Sequence, residues 1–87
     1  MTSQLRLRGE GVVWREVAGE VIAVDVPYSL YLSANTSGAL IWRQLAQGTT
    51  REELVDLLAD RYGIDSERAA GDVDAFVGQL EERGLLA

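Results

Sequence analysis

The apolar positions repeat every second residue in the first third of the chain and every third or fourth residue after that. Val12 to Val17, "VVWREV", is rich in β-branched and aromatic residues and predicts a strand. Ala18-Gly19 predicts a turn, because a turn here needs positive φ, which glycine takes without steric cost. Glu20 to Val26, "EVIAVDV", predicts a second strand antiparallel to the first. Ile22, Val24 and Val26 fall on one of its faces, and Val21, Ala23 and Asp25 on the other. Pro27 cannot donate to a ladder and belongs to the connection or to a strand start. Tyr28 to Ser33 alternates again, with Tyr28, Leu30 and Leu32 on one face and Ser29, Tyr31 and Ser33 on the other. That pattern predicts a third strand with one dry face. Residues 1–10 are expected as a flexible arm, with "LRLR" able to join the sheet.

Helical spacing begins after Ser33. Asn35 or Thr36 suits an N-cap, since a short polar side chain accepts from an orphan N–H. The helix "SGALIWRQLAQ" turns Ile41, Trp42 and Leu45 inward and stops at Gly48. Thr50 and Glu53 form a capping box ahead of a second helix over 51–62. Leu54, Leu57, Leu58 and Tyr62 share its apolar side, and Gly63 ends it. Asp65 or Ser66 opens a third helix that runs to about Arg83 and stops at Gly84. Its apolar arc holds Ala69, Val73, Phe76 and Leu80, widened by Ala70 and Val77 and bordered by Asp72. Its opposite side carries a ridge of small residues, Gly71, Ala75 and Gly78. The expected fold is therefore α+β and winged helix-turn-helix-like, a three-stranded antiparallel sheet followed by three helices in a single domain over 11–87.

Composition narrows the chemistry. The 87 residues include no cysteine, no histidine and no lysine. Disulfides, thiolate zinc sites, His-based triads and Schiff-base lysines are thereby excluded. Acids such as Glu52, Glu53, Asp56 and Asp60 lie at helix starts and on solvent faces, and no glycine-rich loop has phosphate-cradling spacing. No catalytic role, metal or cofactor is expected. No apolar run is long enough to span a membrane, and the N-terminus lacks a signal-peptide core, so a cytoplasmic protein is expected.

The charge is uneven along the chain. Residues 1–48 hold four acids and four arginines; residues 49–87 hold ten acids and four arginines and carry the whole net charge of −6. A helix that reads DNA presents basic and amide side chains. The third helix instead presents Asp72, Asp74, Glu81 and Glu82 against Arg68 and Arg83, which argues against nucleic acid, the alternative function for this kind of fold.

A peptide partner fits better. Three strands in sequence order leave the third at an edge, whose unpaired N–H and C=O groups can accept another strand. "YSLYLS" carries no charge and no proline to block such pairing. The third helix would supply the opposing wall of a groove. Pattern alone leaves open whether the edge is free or covered by the N-terminal arm. An uncharged edge can also pair with its own copy, giving a homodimer.

The ordered runs "YLSANTSGALIW", "GTTREELVDLLADRYGID" and "DVDAFVGQLEERGLL" resemble the PqqD-like family, recognition domains for ribosomally made, post-translationally modified peptides. They are most similar to the small standalone versions of lasso-peptide biosynthesis. The shared elements are N-x-x-G after a short strand, an Ile-Trp pair in the first helix, a G-x-T capping box and a D-V-x-x-F-x-x-x-L helix ending in R-G-L-L. Ala34 stands where members commonly have leucine before Asn35, a departure expected to touch core packing. The resemblance covers roughly 11–87. It implies that the leader segment of a precursor peptide adds to the third strand and lies against the third helix. Carried onto this chain, the contacts are Tyr28, Ser29, Leu30, Tyr31 and Leu32 from the strand, and Ala69, Asp72, Val73, Phe76 and Leu80 from the helix. It also implies a separate leader peptidase and a cyclase as partners. The founding member of the family instead suggests presentation of a peptide directly to a redox enzyme.

Overall fold

The computed structural model describes residues 4–87 and lays a three-stranded antiparallel sheet and a short two-stranded one beside three helices. The elements are β1 (Gln4–Leu5), β2 (Val12–Val17), β3 (Glu20–Asp25), β4 (Leu30–Ala34), α1 (Thr36–Gln47), β5 (Thr49–Thr50), α2 (Arg51–Tyr62) and α3 (Ser66–Glu82). The sheet runs in the order β2-β3-β4. The expected α+β arrangement of three strands followed by three helices is the one observed.

Helix boundaries follow their caps. Asn35 accepts from the Gly38 N–H, Thr50 from Glu53 and Asp65 from Arg68. Each side chain thereby satisfies one of the donors that a helix start leaves without a partner. Gly48 and Gly63 end the first two helices with positive φ. The hairpin between β2 and β3 turns through Ala18 (φ 53°) and Gly19 (φ 82°), both left-handed, as a two-residue turn matched to strand twist requires.

Two expectations for the third strand change. Val26–Tyr28 forms a 3₁₀ turn with Pro27 at its start, and Ser29 closes it in the left-handed region at φ 54°. Tyr28 and Ser29 therefore precede the strand, which begins at Leu30. Proline fixes φ and withholds a donor, so the turn forms before pairing can start. The Ser29 N–H already donates to the Val26 carbonyl at 3.2 Å.

The core lies between the inner face of the sheet and the helices. Val21, Ala23 and Asp25 of β3 point inward and pair with Ala34, Leu32 and Leu30 of β4. Ile22 and Val24 therefore lie on the outer face. Trp42, Leu45, Leu54, Leu58, Val73 and Leu80 are buried to within 1–2 % of complete exclusion. Trp14 meets Trp42 edge-to-face, with ring centroids 6.0 Å apart. In α2 the buried side is Leu54, Val55 and Leu58; Leu57 is half-buried, and Tyr62, expected on the apolar side, is exposed. Ala34, the departure from the family pattern, is buried in the core.

The N-terminal segment also departs from expectation. Residues 1–3 of the expected arm lie outside the described residues. Residues 4–8 are packed: β1 pairs with β5, Leu7 bridges Leu86, and the Leu7 side chain joins the core. Arg8 anchors this segment. It bonds Asp25 at 2.6 Å, the Gly84 carbonyl at 2.9 Å and the Glu10 carbonyl at 3.0 Å. None of these described contacts touches the outer edge of β4.

At the surface, Arg51 clasps Asp74 with two hydrogen bonds of 2.7 and 2.9 Å, linking α2 to α3. The hydrogen bond from Arg51 and its charge hold the Asp74 carboxyl below the usual carboxylate range. Arg43 pairs with Glu16, joining α1 to β2.

Candidate functional site

β4 is the free margin of the three-stranded sheet: among the described residues its only strand partner is β3. In an antiparallel ladder alternate residues direct their N–H and C=O groups to either side. Half of the backbone polar groups of Leu30–Ala34 therefore face outward, ready for another strand.

The side chains of β4 divide by register. Leu30, Leu32 and Ala34 share the inward face with Asp25, Ala23 and Val21. Ala34 is buried, Leu32 half-buried and Leu30 47 % exposed, so this apolar face opens progressively toward the strand start. Tyr31 belongs to the outer face beside Val24 and is exposed, as is Tyr28 on the preceding turn.

α3 and the residues that follow it border this edge. Asp72, Phe76, Gln79 and Arg83 follow one another at spacings of four, three and four residues, which places them on one stripe of the helix. Two hollows lie along it. Asn35, Ser37, Gly38, Ile41, Leu58, Asp72, Ala75, Phe76 and Gln79 line one, where α1 begins beyond the end of β4. The other lies between Leu30 and Leu32 of β4 and Arg83 and Leu85 after α3, with Ala23 and Asp25 beneath.

The structure sorts the ten residues expected at the site. Leu30 and Leu32 line the hollow beside Arg83 and Leu85, Asp72 and Phe76 line the one at the start of α1, and all four are accessible. Tyr31 is accessible on the other face of the strand, and Tyr28 and Ser29 lie on the turn leading into it. Ala69, Val73 and Leu80 are wholly buried in the core, at 0 % exposure. They hold the groove from below and do not line it. The reason is geometric: one helical stripe serves both core and groove, and only packing divides it. Gln79, Arg83, Asn35, Ser37, Asp25 and Leu85 also line these hollows and were not among the expected residues. The spacing of Asp72, Phe76, Gln79 and Arg83 was the signal available for the two helix positions.

Phe76 is placed by a close approach. A β-carbon on Gly38 would sit 2.8 Å from a carbon of the Phe76 ring and 3.1 Å from the Ala34 side chain. Glycine at this point of α1 lets the ring lie against the start of the helix. A Gly38→Ala variant should push the ring outward and lose about 1–3 kcal/mol of stability through overpacking, although alanine favours helix. Chemical denaturation measures this, and a stability gain would show that the ring has free room to move.

The model of "Coenzyme PQQ synthesis protein D (PqqD)" matches residues 20–86, and the chain belongs to that family. Among solved structures, the chain resembles that of TbiB1 in complex with the TbiA(beta) leader peptide. The two share 26 % identity with a TM-score of 0.86, and the match covers 93 % of each chain. A comparison with curated proteins found no match.

Proposed function

We propose that this protein binds the leader segment of a ribosomally synthesised precursor peptide. The leader adds as a fourth strand to the open edge of β4 and lays alternate side chains into the groove against α3. The observation that carries this reading is the unpaired, uncharged edge of β4 facing the Asp72–Phe76–Gln79–Arg83 stripe. The TbiB1 structure, which holds a leader peptide on a similar fold, supports it.

Backbone pairing would supply much of the affinity, and the pockets for every second side chain the preference. Phe76 and Leu32 offer apolar surface. Asp72 and Gln79 offer polar groups at the rim. The role is non-catalytic: the protein holds the leader while a separate peptidase, and in a lasso-peptide pathway a cyclase, act on the precursor. Arg43 and Arg51, candidates for contact with such an enzyme, are engaged in ion pairs with Glu16 and Asp74. The Gly71–Gly78 ridge is open, since an added β-carbon at either glycine meets nothing within 4 Å. Asp72 and Asp74 on α3 are exposed and would repel a phosphate backbone, which disfavours nucleic acid as the ligand.

Amide exchange tests the mode of binding. With the leader peptide encoded beside the gene, alternate amides within Leu30–Ala34 should gain protection of at least about tenfold, as a new ladder forms. The Ser29 amide, already bonded within the turn, should change little. Binding without any gain in β4 would sink strand addition. No binding at millimolar peptide would sink the leader reading itself.

A further inference from the structure

The hollow between β4 and the end of α3 is lined by Asp25, one of whose carboxylate oxygens takes no part in the fold described so far. The Asp25 side chain is 2 % exposed. Its Oδ1 accepts from Arg8 at 2.6 Å, while its Oδ2 is buried and has no hydrogen-bond partner among the described residues. Arg8 cannot turn to serve both oxygens. Its Nε and Nη1 are held by the Glu10 and Gly84 carbonyls, which leaves Nη2 for Asp25. A buried carboxylate oxygen without a donor is costly, so a donor arriving there gains more than it would at an exposed group.

The surroundings limit what that donor is. Ala23, Leu30, Leu32 and Leu85 make the hollow apolar apart from Asp25 and Arg83. Its free volume is about 10 Å³, room for roughly one water-sized group. A lysine or arginine tip would meet a single carboxylate already paired with Arg8, with another arginine, Arg83, lining the hollow. A carboxylate tip would face Asp25. A carboxamide would satisfy Oδ2 but bury a second polar atom among leucines. An indole carries its N–H on the flank of a fused two-ring body, which the hollow has no room for, whereas a phenol or an aliphatic hydroxyl presents its O–H at a tip. One hydroxyl on an apolar stem meets every condition. It also reproduces the bond that a water would make in the free protein, whereas a methyl group at the same place would not.

We propose that this hollow is a side-chain subsite selective for a leader residue carrying a single hydroxyl on an apolar body, with Asp25 Oδ2 as the acceptor. This rests on the leader-binding reading and names one determinant of its sequence preference. The subsite reads the leader residue that lies opposite Leu30 and Leu32 on the inward face of the added strand.

The test titrates the wild-type protein with the leader peptide encoded beside the gene. It then uses versions in which each hydroxyl-bearing residue in turn is replaced by its hydroxyl-free counterpart: threonine by valine, serine by alanine, tyrosine by phenylalanine. One replacement should weaken binding by about 5- to 100-fold, the range for leaving a buried charged acceptor unpaired. In the double variant Arg8→Met/Asp25→Val, which removes the ion pair as a unit, the same replacement should cost less than about twofold. Should that variant not fold, the Asp25 carboxyl carbon in the wild-type protein provides the reading. Its NMR shift should move with the hydroxyl peptide and remain at the free value with the hydroxyl-free one. If the leader binds but no replacement costs more than about threefold, or if neither peptide moves the Asp25 resonance, Oδ2 is served by water only and the subsite assignment is overturned. If the unaltered leader fails to bind, the function itself is wrong, and the subsite falls with it.

Discussion

The Trp42→Ala variant should lose about 3–5 kcal/mol of stability, a large part of what holds the chain folded. Trp42 is the largest fully buried side chain, at 0 % exposure, and it stands where α1 meets the sheet. It also carries the edge-to-face contact with Trp14. Truncating a buried aromatic to alanine costs about 3–5 kcal/mol, since the lost burial and the remaining cavity add together. At about 0.05–0.15 kcal/mol per residue, a chain of 87 residues has roughly 4–13 kcal/mol of stability in total. The loss thus consumes much of the margin, and heating consumes more. Urea denaturation followed by far-UV circular dichroism measures this; a transition with the wild-type midpoint would show that α1 is not the keystone of the core. Trp42→Phe should be milder. The Trp42 Nε1 is buried without a partner among the described residues, so phenylalanine removes an unsatisfied donor along with part of the ring.

Phe76→Ala should separate binding from folding. The ring is half-buried, packed against the core on one side and open to the groove on the other. Its truncation should cost about 1–2 kcal/mol of stability, below the value for a wholly buried phenylalanine. The loss of leader affinity should be larger, about 2 kcal/mol or some 30-fold, because an aromatic anchor in a partly enclosed groove is the usual centre of binding energy. Calorimetric titration at a temperature where the variant remains folded gives the comparison. Unchanged affinity in a folded Phe76→Ala protein would move the groove away from α3. Val73→Ala and Leu80→Ala, at fully buried positions one turn to either side, should show the reverse balance, with folding harmed more than binding.

The contrast between Phe76 and its neighbours shows where sequence reasoning stops. Val73, Phe76 and Leu80 share one arc of α3 and are indistinguishable by hydrophobicity or spacing. Packing makes the distinction, and Gly38 of α1 is part of it, since its missing side chain makes room for the Phe76 ring. The two residues are far apart in the chain, and no local pattern links them. β3 gives a similar lesson. Alternation leaves both of its faces available, and Ile22, Val24 and Val26 are the more apolar set. The structure buries the other face, with Val21 and Ala23 in the core, and Arg8 from the N-terminal segment pairs with the Asp25 carboxylate buried beside them. That segment was expected to be loose. Its packing depends on partners in β5 and at the C-terminus, which a window of ten residues does not contain.

Local chemistry alone determined the rest. Asn35, Thr50 and Asp65 mark three helix starts, because each supplies an oxygen to an unpaired N–H within its own turn. The absence of cysteine, histidine and lysine removed the common catalytic and metal chemistries, and the carboxylates on the third helix argued against nucleic acid. The uncharged third strand pointed to an open edge. Tertiary structure decided what pattern could not: that the strand begins at Leu30 after a proline-led turn, that the described N-terminal segment pairs away from the β4 edge, and which apolar residues are core and which are wall. Caps, alternation and composition act within a few residues and can be read along the chain. Burial is a property of whatever arrives from elsewhere to cover a side chain, and it is settled only when distant segments meet.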